Sequence, residues 1–156
     1  MREDAQLILP WAPNGRPQKV PFGFPYERKK SLLSENEISY YKILQMIFGS
    51  RYLIFAQVGV FALCDVLDRP FNQGAVNRID RLRVDFVLCH PRTFKPMIAI
   101  ELDDSTHDRM HRRKRDGFLD EVFRVVGMKL VRQRARLTYS VAEVTQTVEA
   151  ALAAAA

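Results

Sequence analysis

The stretch Val84-Asp85-Phe86-Val87-Leu88-Cys89, the connecting segment His90-Pro91-Arg92-Thr93-Phe94-Lys95-Pro96 and the stretch Met97-Ile98-Ala99-Ile100-Glu101-Leu102-Asp103 decide the fold. Two short apolar runs rich in β-branched side chains, separated by a segment with two prolines, read as strands over 80–89 and 97–103 joined in a hairpin. In a strand, residues i and i+2 share a face. Glu101 and Asp103 therefore point one way while Ile98, Ile100 and Leu102 point the other. Asp85 stands between Val84 and Phe86, where a purely structural strand would place an apolar or neutral residue, and burying a charge there requires a partner. Hairpin pairing brings Asp85 across from the Glu101 region and gathers three acids. Like charges that close repel unless a cation joins them.

A cluster of hard oxygen ligands suits Mg²⁺ or Mn²⁺, ions that keep several waters and serve phosphate chemistry. The reaction this implies is phosphodiester hydrolysis, with the metal polarising the phosphate and lowering the pKa of an attacking water. The competing account pairs Asp85 and Glu101 with arginines such as Arg81, Arg83 or Arg115.

Outward from the hairpin, Thr106 to Val126 reads as a long helix that Gly127 ends. It opens with a basic run, Arg109, Arg112, Arg113, Lys114 and Arg115. Helical spacing puts His111 and Arg115 on the inward stripe of Leu119, Val122 and Val126, so Arg115 faces the acids as a helper or as a counter-ion. Arg109, Arg112 and Arg113 project elsewhere and can meet a nucleic-acid backbone. His107, four residues after Asp103, looks back over the strand ends, either as general acid, base or water-orienting group or as a helix-terminus residue. His90 has no such company.

Met128 to Gln133 forms a further strand, and Ser140 with Glu143 opens a last helix through Val141, Val144, Val148 and Leu152. Upstream, Ser34-Glu35-Asn36-Glu37 is a capping box that starts a helix carrying Ile38, Tyr41, Leu44, Ile47 and Phe48, stopped by Gly49-Ser50. Tyr52 to Val60 is a strand with Gln57 as its one polar interruption, and Asp68 to Arg78 reads as a loop. Five of the eight prolines fall within the first 25 residues. Residues 1–30 are accordingly an extended arm, able to pack on the domain or to meet a protein partner, and 31–156 form the domain.

The length of 156 residues fits one core. A hydrophobic fraction of 47% with 27% charged residues excludes a chain that is mainly disordered, collagen-like or membrane-embedded. No apolar run approaches a membrane span, and no secretory leader is visible, so the cytoplasm is the expected compartment. The formal net charge of +6 favours a polyanionic partner. Cys64 and Cys89 are too few for a disulfide framework or a four-cysteine zinc site and read as buried thiols. The order of helix, three strands, helix, strand, helix gives an α/β domain with a small mixed sheet flanked by helices.

Taken together, Leu32-Leu33-Ser34-Glu35-Asn36-Glu37, Val84-Asp85-Phe86-Val87-Leu88-Cys89, Ile100-Glu101-Leu102-Asp103-Asp104-Ser105-Thr106-His107 and Arg115-Asp116 resemble the bacterial family called domain of unknown function 2726, from about residue 31 to the end. That family looks like a branch of the PD-(D/E)XK nuclease superfamily, related to the very-short-patch-repair endonucleases. The resemblance implies a restriction-endonuclease-like core and a Mg²⁺-dependent nuclease-like activity on nucleic acid, DNA ahead of RNA. By position Asp85 is the metal-binding aspartate, Glu101 the acid of the second motif element and Glu37 the acid of the first helix. Gln57 borders the pocket. Asp103 departs from the pattern, which has lysine there. Either Asp103 joins Asp85 and Glu101 as a metal ligand while His107 or Arg115 takes the lysine's task, or hydrolysis is weak or lost and the domain only binds nucleic acid.

Overall fold

The computed structural model describes residues 27–103 and 109–155, with the backbone alone described for 109–115. The chain divides by its contacts between Leu32 and Leu33, and every helix and strand described belongs to the unit Leu33–Ala156. Most of the proline-rich arm, and His107, lie outside the described residues.

Helix α1 (Glu35–Phe48) begins where its capping box predicts. The Ser34 hydroxyl accepts from the Glu37 N–H at 3.4 Å, and the Glu37 carboxylate accepts from the Ser34 N–H at 2.6 Å. Two of the donors orphaned at a helix start are thereby satisfied. Its buried row is Tyr40, Leu44 and Phe48, at intervals of four. Tyr41 and Ile47 pack only partly, and both Tyr40 and Tyr41 stack on Phe86, at 5.9 and 6.1 Å.

Four strands follow the order β1 (Leu53–Gly59), β2 (Arg83–Cys89), β3 (Pro96–Asp103) and β4 (Lys129–Arg134) across one sheet. The first three pair antiparallel and β4 pairs parallel to β3. A parallel return needs a crossover, which α3 (Arg109–Val125) supplies. The β2–β3 hairpin closes through His90, whose Nδ1 accepts the N–H groups of Arg92 and Thr93 at 3.3 Å. That histidine is a turn-former.

Two corrections arise between β1 and β2. The predicted loop over 68–78 contains helix α2 (Gln73–Ile79), and β2 starts at Arg83 rather than at Asp80. Gly74 and Asn77 disfavour a helix locally, but Ile79 buries with Val60 and Leu82 and tertiary packing overrides them. Downstream, Leu119 and Phe123 are the buried members of α3 and Val122 is partly buried, whereas Val126 is exposed. The helix has already ended there, and Gly127 turns the chain at φ 68°. Helix α4 (Val141–Ala153) starts at Ser140, whose hydroxyl accepts from the Glu143 N–H, and buries Val144, Val148 and Leu152.

Apolar side chains from both faces of the sheet complete two cores. Phe86, Leu88, Ile98 and Ile100 pack with α1 and α4, and Val84, Val87, Cys89 and Ala99 pack with Ile79, Leu119 and Phe123 from α2 and α3. The fold is α/β, a small mixed sheet flanked by helices. Among the described residues no helix is long and apolar enough to cross a membrane.

Candidate functional site

The ladder between β1 and β2 skips one pair. Ala56 faces Phe86 and Val58 faces Val84 in one continuous register, while Gln57 and Asp85 between them are not paired. Ala56 and Phe86 belong to the core under α1 and α4, yet Val58 and Val84 belong to the opposite core. Residues two apart in a regular strand share a face, so both strands change face at this pair. The cause is local. Gln57 has φ 55°, the left-handed region that costs an L residue about 1–2 kcal/mol.

That twist points Gln57 at α1. Its Nε2 donates to Glu37 Oε1 at 2.6 Å and, at 3.4 Å, to Asp85 Oδ1. Asp85 Oδ2 accepts the backbone N–H of Leu102 at 2.7 Å, which anchors the carboxylate between β2 and β3 where their ladder has run out. Burial pushes the Asp85 carboxyl up to about 6, the Glu37 carboxylate pushes the same way, and the Leu102 N–H opposes. Tyr139 borders the pair. Its phenol accepts from the Arg136 N–H at 2.9 Å and is pushed up first by burial and further by Asp85 and Glu37, against Arg136.

Asp103 has a different partner. Arg132 of β4 donates from Nη1 to Asp103 Oδ1 at 2.9 Å and from Nε to Asp120 at 3.0 Å, and its Nη1 lies 3.7 Å from Asp116. Glu101 is half-buried in β3, in register with Arg132. By strand alternation Glu101 and Asp103 face α3, with Ala99, whereas Glu37 belongs to the α1 side. The structure thus brings Glu37 to Asp85 and ties Asp103 to Arg132. Among the described residues no group of three or more His, Cys, Asp or Glu side chains is placed to hold a metal ion. The side chains of Arg109, Arg112, Arg113, Lys114 and Arg115 lie outside the described ones, although their backbone forms the first turns of α3.

Sequence reasoning missed Arg132 and Tyr139, and it placed Gln57 at the pocket's border rather than between the acids. Only Gln57 carried a signal: one polar residue interrupting an otherwise apolar strand. Cys64 and Cys89 are free, and burial pushes both thiols up, away from nucleophilic use.

Chemically, the Glu37–Asp85 pair is a half-buried site for one positive charge. Among the described residues neither acid is in an ion pair, so a shared proton or a cation must offset their repulsion. The two carboxylates are hard oxygen donors that fit Mg²⁺ or Mn²⁺ better than a soft metal, and Gln57 turns its amide nitrogen, not its oxygen, toward them.

A family model described as Protein of unknown function (DUF2726) matches residues 29–152. No curated protein and no solved structure matches the chain.

Proposed function

The chain belongs to the DUF2726 family, and we propose that its domain is a divalent-cation-dependent, nuclease-like enzyme that hydrolyses phosphodiester bonds in nucleic acid, DNA ahead of RNA. One observation carries this: Asp85, pushed up to about 6 beside Glu37, forms with it a half-buried anionic pair that no basic side chain among the described residues neutralises. Such perturbed acids are costly to keep for structure alone and mark functional sites. Asp85 and Glu37 would hold the cation, with Asp85 anchored by the Leu102 N–H, while Glu101 lies in the neighbouring strand on the α3 side. When bound, Mg²⁺ or Mn²⁺ polarises the phosphate and activates water.

Further support comes from the net charge of +6, which attracts a polyanion, and from the basic opening of α3, where Arg109, Arg112, Arg113, Lys114 and Arg115 guide the strand. His107 and Arg115 are the candidates for orienting water or phosphate. The motif resemblance supports a restriction-endonuclease-like core for this chemistry, a branch of the PD-(D/E)XK superfamily related to the very-short-patch-repair endonucleases. Two free cysteines are compatible with work in the reducing cytoplasm.

A second reading rests on Asp103. The superfamily pattern has lysine there, and this carboxylate is engaged by Arg132. A domain that binds nucleic acid without cutting would have the same fold and the same basic surface. A cleavage panel of DNA and RNA with Mg²⁺ or Mn²⁺, run on wild type and Asp85→Ala, separates the two. Metal-dependent cutting lost in the variant, with DNA binding retained, supports the enzyme. A wild type that binds DNA and cuts nothing with either ion leaves only the binding module.

A further inference from the structure

We infer that Gln57 is a positioning residue of the proposed cation site, holding the Glu37 carboxylate against Asp85; the inference rests on the reading of that pair as a cation site. Glu37 has two oxygens and two tasks. Oε2 takes the Ser34 N–H at 2.6 Å and the Ser34 hydroxyl at 2.7 Å, which completes the cap of α1 and directs the side chain back along the chain. Nothing in that cap orients Oε1 toward Asp85, and the repulsion between two carboxylates opposes the approach. The Gln57 carboxamide supplies the missing attraction. One nitrogen with two hydrogens donates to both acids, at 2.6 Å and 3.4 Å, from a partly buried position.

The backbone shows why a strand residue can reach α1 at all. Ala56 packs in the core beneath α1 and α4. Regular alternation would send residue 57 to the opposite face, away from Glu37. The positive φ of Gln57 cancels one step of that alternation, so Ala56 and Gln57 both serve the α1 side and Val58 resumes on the other. A left-handed glutamine in mid-strand is an uncommon and strained choice where glycine is the relaxed one. Strain of this kind persists where the surrounding contacts enforce it. Here the enforced contact is the bridge between two acids.

Calorimetric titration with Mn²⁺ tests the assignment on wild type, Asp85→Ala, Gln57→Leu and Gln57→Gly, with a metal-free thermal melt of each. Gln57→Leu removes the carboxamide, and Gln57→Gly removes it while relaxing the backbone, so the glycine variant keeps the test valid if leucine disturbs folding. Expected is a loss of Mn²⁺ affinity of roughly 10- to 100-fold in both glutamine variants, the scale seen when a ligand's supporting hydrogen bond is removed. Cleavage then needs more Mn²⁺ for half-maximal rate and regains its wild-type kcat at saturation. Unchanged Mn²⁺ affinity in folded Gln57→Leu and Gln57→Gly, with affinity lost in Asp85→Ala, overturns the role of Gln57 and leaves the cation site intact. A wild type that binds no Mn²⁺ overturns both.

Discussion

Burial holds the Asp85 carboxyl up to about 6, and Glu37 adds to the effect. A carboxyl whose folded value lies above its unfolded one binds its proton more tightly in the native state. Its contribution to stability is full below the ordinary value of 3.8 and is lost as pH rises through about 6. Metal-free urea denaturation should therefore show stability that declines across this window in wild type and declines less in Asp85→Asn. At about pH 8 the asparagine variant should be the more stable of the two, and added Mn²⁺ should raise the wild type while leaving the variant unchanged. A second residue-scale test concerns Ser34. Its hydroxyl caps α1, and Ser34→Ala should cost about 1 kcal/mol in the same denaturation measurement, the usual value of a lost N-cap. Both caps and the acid-bearing strand positions were legible in sequence because their signals lie within a few residues of one another.

At the scale of elements, Arg132 joins β4 to the end of β3 through Asp103 and to α3 through Asp116 and Asp120. Its side chain is only 24% exposed, so the charge-assisted bonds are partly shielded from water. Arg132→Ala leaves three acids facing one another and should destabilise by about 1.5–3 kcal/mol, the range for hydrogen bonds to charged groups. Urea denaturation measures it, and a cost near zero would show the network to be an ordinary surface cluster. Helix α2 teaches a complementary lesson. Its sequence, Gln73-Gly74-Ala75-Val76-Asn77-Arg78-Ile79, has the glycine and asparagine of a loop and gains its helix from burial of Ile79. A local reading cannot see that burial. The first helix, α3's glycine stop and the last helix needed no such help, since periodicity and caps sufficed.

The whole molecule is a cation of net charge +6 whose candidate site is anionic. The two charges act at different ranges. On the proposed reading, the overall excess of Lys and Arg would attract a nucleic-acid backbone through counterion release, while Glu37 and Asp85 would act only on what enters the site. DNA affinity should fall steeply as salt rises, and Asp85→Ala should keep the same salt slope while losing metal-dependent cleavage. A fluorescence-anisotropy titration over several salt concentrations reads the slope. Salt-independent binding would remove the electrostatic basis for a nucleic-acid substrate.

Sequence by itself determined the strands, the hairpin between Asp85 and Glu101, the capped helices and the α/β class, because each follows from periodicity or from turn and cap chemistry over short separations. It also marked Glu37, Gln57, Asp85 and Asp103 as polar residues in suggestive places. Which of them meet was decided only by the tertiary structure. Glu37 and Gln57 are 20 residues apart, and Asp103 and Arg132 are 29 apart. Their pairing depends on the change of strand face at one left-handed residue and on a parallel strand brought back by a crossover helix. Alternation predicts a face only while it is unbroken, and both β1 and β2 break it at Gln57 and Asp85, which meet Glu37 while Asp103 meets Arg132.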